Sequence, residues 1–140
     1  MLKKSILIVL MILLTQTLFA KVHINGNWHV RVMDGMEVRK ARVILDFDIT
    51  HMKLFGFDGC NRIEGKLVRI SEINMYVPTL LRTRMACRTH LHSWASQRLQ
   101  EILKEGFYIK QTRKYGVNGI IIRSLNHELF LKKMGESSNK

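Results

Sequence analysis

The sequence predicts an α+β fold in which a twisted, largely antiparallel β-sheet wraps around one amphipathic α-helix. Apolar and polar residues alternate over much of the chain before residue 77 and again after residue 106. Between these stretches the apolar residues recur every three or four positions, which is the helical period. With 1 proline among 140 residues and no linker or repeat, we expect a single domain over residues 21–140, with its core at about 25–134.

Strand patterns fill the first half of the chain. In the clearest of them, Val43, Leu45 and Phe47 share one parity while polar residues hold the other, as in a half-buried antiparallel strand. Asp34-Gly35 predicts a turn, and Asp58-Gly59 ends a strand. The predicted strands lie at 28–32, 43–49, 52–57, 67–70 and 73–77.

One helix follows, and both of its ends carry local signals. Thr89 is a suitable N-cap, and Gly106 is a suitable C-terminal stop. Strands are predicted again at 107–111, 119–125 and 128–133, where the run Ile120-Ile121-Ile122 indicates a strand covered on both faces. The apolar face of the helix consists of Leu91, Trp94, Ala95, Leu99, Ile102 and Leu103.

The first twenty residues have the pattern of a secretory signal peptide. Lys3 and Lys4 precede the apolar run 6–14, and we expect cleavage after Ala20. The alternative is a membrane anchor, but residues 5–20 are shorter than the roughly twenty residues that a spanning helix needs. Residues 1–20 contain no cysteine, so we expect an exported protein, periplasmic or envelope-associated, that is not lipidated at its N-terminus.

The chain is strongly basic. Its 23 Lys and Arg residues against 11 Asp and Glu residues give +12, or +10 without the two leader lysines. This balance argues against an acidic disordered tail, and the short chain argues against a multidomain enzyme or a multi-pass membrane protein. The charge either solvates the surface or attracts anionic envelope polymers or lipid headgroups. With an export signal and no stacking motif, we expect no nucleic acid as a partner, and we expect a monomer.

Cys60 and Cys87 are the two cysteines of the chain. In an oxidising compartment such a pair is typically a disulfide, which would contribute about 3–4 kcal/mol on the chain-entropy model. Two buried free thiols, or a catalytic Cys87 beside His90 or His92, are the alternatives. Those two histidines point in opposite directions on a helix and cannot share a metal ion. No phosphate-binding, dinucleotide or metalloprotease motif occurs, so we predict no catalytic residue, metal or cofactor.

Two segments, 59–65 and 83–87, are similar to the signature motifs of the META domain, found in heat-inducible HslJ-type envelope proteins. The resemblance covers roughly residues 25–134 and implies a small exported α+β domain linked to heat stress, drug resistance or secretion, with no agreed enzymatic activity. Ile63 replaces the usual aromatic residue, Arg88 replaces a proline or small residue, and the lipid-acceptor cysteine is absent. The motif residues are Gly59, Cys60, Asn61, Arg62, Gly65, Thr83, Met85, Ala86 and Cys87.

The first motif also has a direct physical interpretation. Gly59 and Gly65 bracket a tight loop, in which Asn61 bonds local backbone or adopts the left-handed conformation. A Cys60–Cys87 bond would bring this loop against the second motif and place Asn61, Arg62, Thr83 and Arg84 near one another. The resulting polar cluster either holds the fold together or forms a ligand-binding surface. The candidate anion-binding residues are Arg62, Arg82, Arg84 and Arg88.

Overall fold

Eleven strands form one curled sheet in this computed structural model, which describes residues 3–6, 23–72 and 74–135. Every pairing between neighbouring strands is antiparallel. One α-helix, α1, lies between the eighth and ninth strands at His90–Glu105. The strands are β1 Gly26–Met33, β2 Met36–Glu37, β3 Ile44–Asp48, β4 Lys53–Phe57, β5 Arg62–Lys66, β6 Val68–Arg69, β7 Asn74–Tyr76, β8 Leu80–Arg82, β9 Phe107–Lys114, β10 Val117–Arg123 and β11 Glu128–Lys133.

The order of strands places the first and the last strand side by side in the middle of the sheet. The order is β6-β7-β9-β10-β11-β1-β3-β4-β5-β8, with β2 paired to β1. The short connection 77–79 runs from β7, near one end of this order, to β8 at the other end. Val77 N–H in that connection donates to the carbonyl of Leu103 in α1 at 2.8 Å. This hydrogen bond therefore joins the helix to the sheet at the connection between β7 and β8.

Helix α1 confirms the predicted period and both predicted ends. The side chain of Thr89 accepts a hydrogen bond from His92 N–H, and Gly106 follows the last helical residue with a φ of +95°. Ala95, Leu99 and Ile102 are fully buried and join the sheet residues in one apolar core. The helix packs its apolar face against one face of the antiparallel sheet, so the fold is α+β, as the sequence predicts.

Most predicted strands are confirmed, including the central strand with Ile120, Ile121 and Ile122, all buried. The Asp34-Gly35 turn is also present. The two short strands Met36–Glu37 and Leu80–Arg82 were not predicted from the sequence. The predicted loop 59–65 is partly wrong, since β5 begins at Arg62.

The predicted leader lies almost wholly outside the described residues, which include only positions 3–6 of it. Ile73, expected at the start of a strand, is also outside them, and β7 begins at Asn74. Across the described ranges, no helix combines the length and apolar character needed to cross a membrane.

Candidate binding site at the disulfide

Cys60 and Cys87 form the disulfide that the sequence favours. Their sulfurs are 2.03 Å apart, and their α-carbons are 4.6 Å apart. Cys60 lies buried in the turn between β4 and β5, whereas Cys87 lies in an exposed segment just before α1. The alternative of free thiols is wrong for this structure, and the bonded Cys87 sulfur offers no thiolate for attack on a substrate. The bond fixes the second motif against the first.

A buried carboxylate organises the turn between β4 and β5. One oxygen of Asp58, Oδ1, accepts hydrogen bonds from the backbone N–H groups of Cys60 at 2.8 Å and Asn61 at 2.6 Å. Gly59, which lies between Asp58 and Cys60, has a φ of +103°, which a residue with a side chain rarely adopts. The turn therefore needs both the aspartate and the glycine.

The other oxygen of Asp58 binds elements that are distant in the chain. Oδ2 accepts from the Ser96 hydroxyl of α1 at 2.9 Å and lies 3.6 Å from Nε of Arg82 in β8. Gln100, one turn further along α1, accepts from Arg82 at 2.6 Å and donates to Ser96 Oγ at 3.0 Å. These four side chains link the turn, the helix and the last strand of the sheet order. Sequence reasoning missed three of them as site residues, because Asp58 was interpreted only as a strand end and Ser96 and Gln100 only as helix residues.

The side chain of Asn61 bonds the second motif, while its backbone bonds Asp58 in its own turn. Its side-chain oxygen accepts from Met85 N–H at 2.6 Å and from the Thr83 hydroxyl at 3.3 Å. Thr83 Oγ1 in turn accepts from Arg62 N–H at 3.1 Å. Asn61, Arg62 and Thr83 are therefore neighbours, as expected. Their hydrogen bonds engage the backbone N–H groups of Arg62 and Met85 and occupy the side-chain oxygen of Asn61.

Gly65 does not close a loop, and its explanation is a correction to the sequence analysis. It lies within β5, where a Cβ atom would come 2.5 Å from Val77 Cγ1 and 3.0 Å from the Thr79 carbonyl. The required absence of a side chain comes from the close approach of the 77–79 connection, not from a turn conformation. A contact between residues so far apart in the chain leaves no local sign in the sequence.

A small cleft opens beside the disulfide. Its volume is about 180 Å³, and it contains four of the motif residues, two arginines and a histidine. Ala41 and Cys60 in its wall are buried, whereas Met85 is 57% exposed. The cleft is lined by Ala41, Arg42, Phe57, Gly59, Cys60, Met85, Ala86, Arg88 and His92.

The four candidate anion-binding arginines are not equivalent. Arg88 lines the cleft, whereas Arg62 and Arg84 are exposed outside its lining. Arg82 is bound to Asp58 and Gln100. Arg42 lines the cleft as well and was not proposed from the sequence, because the chain brings residues 42 and 88 together only through the fold.

Four arginines near the disulfide form no ion pair in the part of the chain that the structure describes, although the buried carboxylate of Asp58 lies in the same turn as Cys60. Residues 73–100 contain no Asp or Glu. Among the described residues, Arg42, Arg62, Arg84 and Arg88 take part in no ion pair. The unpaired positive charge therefore gathers around the disulfide.

Four basic side chains elsewhere in the fold do have acidic partners. Lys114 and Arg123 both bind Glu128, and these contacts, the one to Lys114 first, lower the pKa of the Glu128 carboxyl below its ordinary value of 4.5. Arg98 pairs with Asp34 at 3.0 Å, and Arg39 pairs with Glu37.

The described residues contain no group of three or more His, Cys, Asp or Glu side chains arranged to hold a metal ion. His92 uses Nδ1 in a contact of 2.7 Å with the Thr89 hydroxyl. This contact belongs to the helix cap and sets the position of the ring at the edge of the cleft.

Comparison with known proteins supports both the motifs and the fold. The family model of the META domain matches residues 20–120. One solved NMR structure shares 22% identity with a TM-score of 0.62, covering 77% of this chain and 88% of its own. An NMR structure of a protein from Burkholderia xenovorans shares 19% identity with a TM-score of 0.59, covering 80% and 83%. Both similarities concern the fold alone, and a comparison with curated proteins finds no match.

Proposed function

The chain belongs to the META domain family, and on that premise we propose that it is an exported, non-catalytic protein that supports cell-envelope function under stress, such as heat or exposure to drugs. The Cys60–Cys87 bond is the observation that carries this proposal. Disulfides persist in oxidising compartments and are rare in the cytosol, so a structural disulfide fits an exported protein. The basic and apolar leader at residues 1–20 supports the same compartment.

A structural role for the motifs supports the non-catalytic part of the proposal. Asp58 would be the strongest candidate for acid–base chemistry, but both of its oxygens are occupied and the residue is 0% exposed. The side-chain oxygen of Asn61 accepts a hydrogen bond from Met85 N–H in the second motif. Groups that are fully engaged in holding backbone are poor partners for a reacting substrate.

Fractionation with thiol labelling tests export. The full-length protein, carrying a C-terminal epitope tag, should be found in the envelope fraction, and its cysteines should react with a maleimide only after unfolding and reduction. A matched variant without residues 2–20 should stay in the cytoplasm and label without reduction. Wild-type protein in the cytoplasm with reactive thiols would overturn the proposal. Deletion of the gene should increase sensitivity to heat or envelope-active drugs, and only the exported form should restore growth.

A second role, a binding module for an anionic envelope component, has its own observation. Arg42, Arg62, Arg84 and Arg88 lie near the disulfide, and none of them forms an ion pair within the described residues. Such a cluster attracts anions at low salt and loses this attraction as salt screens it. The purified protein should therefore bind vesicles that contain anionic lipid at low ionic strength and release them at high ionic strength. If wild-type protein shows no retention even at low salt, this role is excluded.

A further inference from the structure

We propose that the cleft beside the disulfide is a binding site for a phosphomonoester group, held between Arg42 and Arg88. The group is the same whether it belongs to a small soluble phosphate or to a lipid headgroup. This inference rests on the binding role proposed above and adds to it a location and a ligand chemistry. From the sequence, Arg88 is predicted as an anion-binding residue but Arg42 is not, so this pair was not predicted.

The size of the cleft fits such a group. The cleft has a volume of about 180 Å³, which is enough for a small polar group and the water around it. A phosphate group with the first atoms of its ester is small enough to enter this space. The concave shape also distinguishes the site from Arg62 and Arg84, which lie on open surface.

The charge of the cleft matches a phosphomonoester better than a carboxylate. Arg42 and Arg88 supply two positive charges, and neither is in an ion pair within the described part of the chain. A guanidinium group offers paired N–H donors that match phosphate oxygens, and two such groups balance the double charge of a monoester. Thr89 caps α1 immediately after Arg88, so the positive end of the helix dipole adds to the same field.

Both arginines are held by rigid neighbours, which reduces the cost of ordering them. Arg42 ends the short 3₁₀ turn Arg39–Ala41 in a left-handed conformation with a φ of +55°, and its N–H donates to the Arg39 carbonyl. Arg88 lies between the disulfide at Cys87 and the helix cap at Thr89. A backbone fixed before the ligand arrives favours binding, because less conformational freedom is lost.

Apolar side chains complete the cleft and explain why it suits an ester rather than free phosphate alone. Phe57, Met85 and Ala86 line it beside the arginines, and Met85 remains 57% exposed. An exposed methionine next to a charged pair offers an adaptable apolar contact for the carbon atoms that follow the phosphate. The ligand we expect is therefore a phosphate ester whose first carbon atoms contact these side chains.

The test compares two double variants with the same change of charge. Arg42→Gln/Arg88→Gln alters the cleft, and Arg62→Gln/Arg84→Gln is the matched control on neighbouring unpaired arginines outside it. Binding of glycerol 3-phosphate is measured by calorimetry, and binding of phosphatidylcholine vesicles with and without phosphatidic acid is measured by sedimentation. We expect the cleft variant to weaken binding at least about tenfold and the control less than about threefold, since only the former removes direct charged hydrogen bonds.

Each outcome decides a different statement. Loss of glycerol 3-phosphate binding in the cleft variant alone supports a soluble phosphate ligand, and loss of phosphatidic-acid vesicle binding in that variant alone supports a lipid headgroup. Equal losses in the two variants overturn the cleft but leave a diffuse basic binding surface standing. If the wild-type protein binds neither glycerol 3-phosphate nor phosphatidic-acid vesicles, both the cleft and the basic binding surface are overturned. Matching far-ultraviolet circular dichroism of the two variants and the wild type shows that any difference is not a loss of fold.

Discussion

The buried carboxylate of Asp58 and the hydroxyl of Ser96 lie 2.9 Å apart, although 38 residues separate them in the chain. This bond joins the turn between β4 and β5 to the inner face of α1. The same carboxylate holds the turn from within, through the N–H groups of Cys60 and Asn61. One side chain therefore sets both the shape of the turn and its position against the helix.

We predict that Asp58→Ala lowers the free energy of unfolding by about 3 kcal/mol or more, because buried donors and Arg82 lose their acceptor. Urea unfolding followed by circular dichroism measures the change. Asp46→Ala is the matched control, since the Asp46 carboxylate forms no hydrogen bond or ion pair within the described residues, and it should cost less than about 0.5 kcal/mol. Similar losses in the two variants would show that the bonds of Asp58 do not stabilise the turn.

The disulfide should contribute about 3–4 kcal/mol, since the bonded residues are 27 apart in the chain. The double variant Cys60→Ala/Cys87→Ala should lose this amount in urea unfolding. Wild-type protein unfolded in the presence of a reductant is the control and should agree with the variant. A loss below about 1 kcal/mol would indicate that hydrogen bonds between the motifs order the chain without the covalent bond.

Gly65→Ala should destabilise the fold by about 1–3 kcal/mol, because its new methyl group would lie 2.5 Å from Val77 Cγ1. A double-mutant cycle with Val77→Ala checks the cause. Removal of the valine methyl groups should make Gly65→Ala less costly than it is in the wild type. Strictly additive losses would show that the contact with Val77 is not the reason for the glycine.

The stability of the protein should fall in weak acid partly through His29. Burial first, and the charge of Arg31 second, lower the pKa of His29 below its ordinary value of 6.5. The unfolded chain then takes up a proton at a higher pH than the folded protein, so stability present at neutral pH is lost as the pH falls below about 6.5. His29→Gln should therefore lose less stability than the wild type between about pH 7.5 and pH 5 in urea unfolding.

His23→Gln serves as the matched control for this measurement, because His23 is exposed. Its stability should fall with pH in parallel with that of the wild type. A parallel fall for His29→Gln as well would show that the half-buried imidazole of His29 does not contribute to the acid sensitivity.

The features predicted correctly from the sequence are those with local causes. Thr89 and Gly106 mark the ends of α1 because capping depends on the residues next to the helix end. The central strand is recognisable because Ile121 lies between two other buried isoleucines. The disulfide could be favoured from the number of cysteines and the leader, but the sequence alone left free thiols open.

The features that escaped prediction have causes distant in the chain. Gly65 is required by Val77, and Asp58 is explained by Ser96 and Gln100 in a helix that begins about thirty residues later. The cleft likewise pairs Arg42 with Arg88, which belong to different sequence segments. Alternation and spacing describe one element at a time, so they do not show which elements the fold places side by side.

The position of β1 between β11 and β3 has a consequence for how the protein is made. Biosynthesis delivers Gly26–Met33 roughly one hundred residues before Glu128–Lys133, which must pair with it. Until that last strand arrives, one edge of the first strand has no partner within its own molecule. A chain interrupted before Glu128 would keep this edge open, and an open strand edge can pair with a second nascent chain.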